Sequence, residues 1–83
     1  MSFRSVWVIE FEAMRKGFAY ESEKVFATKE EALQEFGKMK NWRSMIQMNV
    51  YPRTYWSAFP NEQPCMKQGA RIAHYNRQYE LMH

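Results

Sequence analysis

The chain has 83 residues, 46% of them hydrophobic and 25% charged, with a net charge of +3. That length allows one domain with one small core, and that composition excludes an intrinsically disordered chain. The single cysteine, Cys65, excludes an intrachain disulfide framework.

The charge is unevenly spread. Residues 1–35 carry five Lys or Arg against seven glutamates, a balance of −2. Residues 36–83 carry seven Lys or Arg against two glutamates, a balance of +5. An acidic first half and a basic second half point to a charged partner, or to self-association in complementary orientation. The apolar run Val6 to Ile9 ends at Glu10 and is too short for a signal core or a membrane span. The expectation is a cytoplasmic protein with no membrane contact.

The pattern predicts a first strand over residues 5–13. Trp7, Ile9, Phe11 and Ala13 alternate with Val8, Glu10 and Glu12, so one face is apolar and the other largely acidic. Residues 14–17 form a four-residue turn, with Gly17 able to take positive φ. A second strand follows over residues 18–27. This turn sets Ala13 against Phe18, Phe11 against Tyr20 and Glu10 against Glu21, with Glu12 and Glu23 diagonal to them.

Thr28-Lys29-Glu30-Glu31 fits a capping box, which opens a helix running to residue 40. Ala32, Leu33, Phe36 and Met39 share its apolar stripe, with glutamates near its start and lysines near its end, as the helix dipole favours. Residues 45–59 read as extended. A two-residue hairpin turn at Pro52-Arg53 is disfavoured, because proline cannot supply positive φ. One long strand with an edge or bulge at Pro52 is the preferred reading, and a wider turn the alternative. Residues 60–64 are a loop. Residues 65–82 carry Ile72, Tyr75, Tyr79 and Met82 on a helical stripe and are expected to form a second helix. The predicted fold is therefore α+β: a single domain, residues 1–83, in the order ββα-β(β)-α, with both helices on one face of an antiparallel sheet.

The stretch YPRTYWSAF, residues 51–59, concentrates aromatics around one arginine. If residues 45–59 form one strand, the even positions Ile46, Met48, Val50 and Trp56 face the core. Tyr51, Arg53, Tyr55 and Phe59 then face outward, as partner-binding candidates. The acidic hairpin face, Glu10, Glu12, Glu21 and Glu23, would repel phosphates and suits a basic protein surface. As a hard-metal site it lacks an Asp-rich loop. On the second predicted helix, Lys67, Arg71, His74 and Gln78 form a stripe beside Arg77, an alternative nucleic-acid surface.

Catalysis finds little support. The chain has no aspartate and no glycine-rich phosphate loop, and Cys65 lies nine residues from His74, out of reach on one helix. No cofactor or metal is expected. The small size and the strand-strand-helix opening resemble, in architecture alone, short accessory proteins of bacteriophages and bacteria. The expected function is a non-enzymatic module that docks on a larger host or cognate protein and modulates or inhibits it. The alternatives are a nucleic-acid-binding protein and a structural homo-oligomer.

Overall fold

The computed structural model describes residues 2–59 and 61–77. Among the described residues, five strands and one helix follow in chain order: β1 (Ser2–Arg15), β2 (Phe18–Phe26), α1 (Lys29–Met39), β3 (Met45–Ser57), β4 (Cys65–Gln68) and β5 (Ala73–Asn76). All pairings are antiparallel. The sheet order is β2-β1-β3-β4, with β5 also on β3. The sheet is curled into a half-barrel.

This corrects the two-helix sandwich. Residues 65–76 are two short strands and not a helix. The remainder of that predicted helix, residues 78–82, lies outside the described residues. The physical reason lies in β3. It is one strand of 13 residues in the interior of the sheet order, and an interior strand satisfies its N–H and C=O groups along both edges. β1 takes one edge; residues 65–76 take the other.

Pro52 explains why they do so in two pieces. β4 pairs with Arg53 to Trp56 and β5 with Gln47 to Val50. The gap falls at Tyr51 and Pro52. The Pro52 carbonyl accepts from the Gly69 N–H at 2.8 Å, so the missing proline N–H points to the same side and the regular ladder stops there. The chain crosses the gap through Gly69 to Ile72, where the Ile72 N–H donates to the Val50 carbonyl at 2.9 Å. A Cβ on Gly69 would lie 2.7 Å from Pro52 Cγ, so this crossing requires glycine.

The first hairpin is tighter than the pattern predicted. Its turn holds two residues, Lys16 at φ 51° and Gly17 at φ 84°. Two positive φ values match the right-handed twist of the strands. Arg15 then faces Phe18, Ala13 faces Tyr20 and Phe11 faces Ser22. The slip is two residues, so every side chain keeps its predicted face, while Glu10 now faces Glu23 and Glu12 faces Glu21.

α1 begins as its sequence requires: the Thr28 hydroxyl accepts from the Glu31 N–H at 3.2 Å. Its stripe covers one sheet face, where Ile9, Phe11, Ala13, Met45, Met48, Val50 and Tyr75 join Ala32 and Met39 in the core. Met45 enters this core through a bulge. Glu12 faces Gln47 but Ala13 faces Met45, which leaves Ile46 as the extra residue. The parity change thus falls at Ile46 and not at Pro52, and Ile46 leaves the core row.

Candidate functional site

The opposite sheet face has no helix over it among the described residues. Strand registers arrange its side chains in rows across the sheet. Glu21, Glu12, Gln47 and Asn76 form one row; Glu23, Glu10, Asn49 and His74 form the next. Val25, Val8 and Tyr51 follow, then Val6, Arg53 and Gln68, then Arg4, Tyr55 and Met66. Tyr51, Arg53 and Tyr55 therefore share one face with all four hairpin glutamates, as the alternation predicts. Phe59 lies beyond the end of β3 and is exposed.

Arg53 organises this face. Among the described residues it is the buried charged side chain, 7% exposed, and its guanidinium spends all five N–H donors inside the chain. Nη1 and Nη2 donate to the two Glu23 carboxylate oxygens at 3.1 Å each. Nη1 also donates to Tyr55 Oη at 3.3 Å. Nε and Nη2 share Gln68 Oε1 at 3.3 and 3.0 Å. Glu10 adds a longer ionic contact at 3.9 Å. The Glu23 hydrogen bond, followed by that of Tyr55, makes the guanidinium hold its proton more tightly than usual, against the opposing effect of burial.

The geometry has a packing consequence. Arg53 sits on β3 opposite Val6, whereas Glu23 sits on β2 opposite Glu10. The side chain must cross β1 over Val8, which lies between them. Val8 is 0% exposed although no helix among the described residues covers it. A fork-to-fork arginine bridge thus ties β2, β3 and β4 over an apolar floor.

On one side of the bridge, Glu10, Glu12, Glu21 and Glu23 line a groove of about 470 Å³ with Gln47 and Asn49. Gln47 Nε2 donates to Glu12 at 3.3 Å. Glu21 is exposed and has no ionic or hydrogen-bond partner among the described residues. On the other side, Arg4, Val6, Val25 and Tyr55 line a second groove of about 520 Å³ with Trp56. Among the described residues, no group of three or more His, Cys, Asp or Glu is placed to hold a metal ion.

The basic candidates do not form a stripe. Lys67 faces Thr54 on the helix-covered side. Arg71 Nη1 donates to Asn49 Oδ1 at 3.0 Å, and His74 Nδ1 meets the same oxygen at 2.7 Å. Arg77 donates to the Arg43 carbonyl. Cys65 pairs with Trp56 and His74 with Asn49. These levels lie seven residues apart on β3, roughly 23 Å at the strand rise, so the two do not form a nucleophile–base pair.

Sequence reasoning missed Gln68, Gln47 and Asn49. Gln68 stood on an expected helix, and nothing local marked it as a partner of Arg53. Gln47 and Asn49 stood on the outward parity and could have been placed beside the glutamates. No helix among the described residues is long and apolar enough to cross a membrane. Comparison with protein-family models, curated proteins and solved structures gives no match.

Proposed function

We propose that this chain is a non-enzymatic protein-binding module that docks on a larger protein through its helix-free sheet face and modulates or inhibits it. The observation that carries this reading is the groove beside the Arg53 bridge. It gathers four glutamates from two adjacent strands and spends its nearby arginine internally, which leaves a net acidic, concave surface. Such a surface attracts Lys and Arg side chains and repels phosphates. Tyr51 and Tyr55 stand half-buried on the same face and supply rigid aromatic contact area. Arg53 holds the face together and is not a free anchor. The nucleic-acid alternative rested on a basic helical stripe, and residues 65–76 form none.

The test is capture from host lysate by the purified protein, with nuclease present and at two salt concentrations, repeated with Glu12→Lys. The expected result is a stoichiometric protein that survives nuclease and is lost with Glu12→Lys, while circular dichroism stays unchanged. Capture that nuclease abolishes, or that Glu12→Lys leaves intact, overturns the reading.

A further inference from the structure

The Arg53 bridge divides this face, and the two grooves beside it differ in charge. The first is lined by the four glutamates. The second, about 520 Å³, is lined by Arg4, Val6, Val25 and Tyr55, and at its far end by Ser57 and Pro64. No carboxylate is among its lining residues. Its volume falls in the range of small-ligand sites. The bridge closes it toward the glutamates, so it takes a short body and not an extended chain.

Two hydrogen-bond donors stand together there. Arg4 and Tyr55 are direct cross-strand partners on β1 and β3, which sets their Cβ atoms about 5 Å apart. Arg4 is exposed and has no hydrogen-bond, ionic or ring partner among the described residues. The Tyr55 hydroxyl accepts from Arg53 Nη1 at 3.3 Å. Arginine offers no acceptor in return, so the hydroxyl proton is directed elsewhere, and it meets no acceptor among the described residues. Glu62, in the loop before Pro64, holds its carboxylate against the Ala58 N–H at 3.2 Å. Residues 78–83 start beyond the Asn76–Gln47 pair, and Tyr55 lies eight residues further along β3, about 26 Å at the strand rise. Six residues reach about 21 Å at full extension, short of this groove.

The walls are apolar. Val6 is 5% exposed, and Val25 keeps 49% of its surface open to a ligand that would bury it. One unpaired cation beside one neutral donor suits a monoanion. A carboxylate meets the guanidinium fork with both oxygens and has lone pairs left for the Tyr55 hydroxyl. The second charge of a phosphate would meet the field of the glutamates beyond the bridge, since Glu23 stands two residues from Val25 on β2, within a Debye length.

We propose that this second groove binds a small monocarboxylic acid with a compact apolar body. Arg4 and the Tyr55 hydroxyl hold the carboxylate, and Val6 and Val25 cover the apolar part. The site stands apart from the acidic groove and does not depend on the docking role assigned to it.

The experiment is a titration of the isotope-labelled protein with phenylacetate, followed by backbone amide NMR. Phenylacetamide and acetate, which each lack one half of the ligand, are titrated in parallel. Phenylacetate is expected to shift the signals of Arg4, Val6, Val25 and Tyr55 with a millimolar dissociation constant, as suits so small a ligand. Phenylacetamide and acetate should each bind about tenfold more weakly or worse. Arg4→Gln should abolish the shifts without moving the urea midpoint, Tyr55→Phe should weaken binding several-fold, and Lys38→Gln, the same charge change on α1, should leave it intact. No localised shift, equal binding of phenylacetamide, or undiminished binding by Arg4→Gln overturns the proposal. An acetylated tripeptide acid ending in phenylalanine serves as a further probe. Binding about tenfold tighter than that of phenylacetate would make the occupant a chain terminus and overturn the assignment to a free acid.

Discussion

Replacing Arg53 with methionine keeps much of the side chain's apolar stem over Val8 and removes five charge-assisted or polar hydrogen bonds. Breaking a fully buried ion pair by removing one partner costs about 3–5 kcal/mol, because the stranded charge stays dry. Here Glu23 and Glu10 keep 45% and 42% of their side chains exposed and can rehydrate. The cost should therefore fall to about 2 kcal/mol, made up of the lost bonds and of repulsion within the glutamate cluster. For a chain of this length that lowers Tm by roughly 10 °C. Glu23→Gln should cost less, about 1 kcal/mol, because the amide oxygen still accepts one bond and a like charge leaves the cluster. The double variant should cost less than the sum of the two, by about 1 kcal/mol or more. Urea denaturation followed by tryptophan fluorescence measures all four corners of the cycle. Single variants within about 0.5 kcal/mol of the parent, or strictly additive effects, would refute the bridge as the tie between β2, β3 and β4.

Gly69→Ala should destabilise by about 1–3 kcal/mol, since its Cβ meets the Pro52 ring at 2.7 Å. Amide exchange should then rise selectively in β4 and β5. Lys16→Asn should stabilise by several tenths of a kcal/mol, because Asn tolerates the positive φ that Lys16 adopts. An unchanged or lower urea midpoint would count against the two-residue turn. Thr28→Ala should cost about 1 kcal/mol through loss of the hydroxyl that accepts from Glu31, read as a lower urea midpoint, with Thr28→Ser close to the parent. Glu12→Lys should abolish partner capture and leave far-UV circular dichroism unchanged; retained capture would remove the acidic groove from the contact surface.

Local chemistry alone determined the hairpin's existence, the helix and its cap, and the extended run through YPRTYWSAF. Each depends on residues close together in the chain: a glycine turn, a Thr28–Glu31 box, alternation of period two. Face membership in the hairpin survived a wrong turn length because a slip of two residues preserves parity. It also placed Tyr51, Arg53, Tyr55 and the four glutamates together, since alternation is all that placement needs.

The tertiary structure decided the rest. Ile72, Tyr75 and their neighbours satisfy a helical period, but the unpaired edge of β3 offers hydrogen bonds that only an extended chain can take, and that demand lies 20 or so residues away. It overrides a helix that Gly69 already weakens. The same distance hid the role of Arg53. From its neighbours it read as an exposed anchor among aromatics. Only the curl of the sheet brings Glu23 and Gln68, 30 and 15 residues away in the chain, within reach of one guanidinium and turns that residue into the fastener of the face.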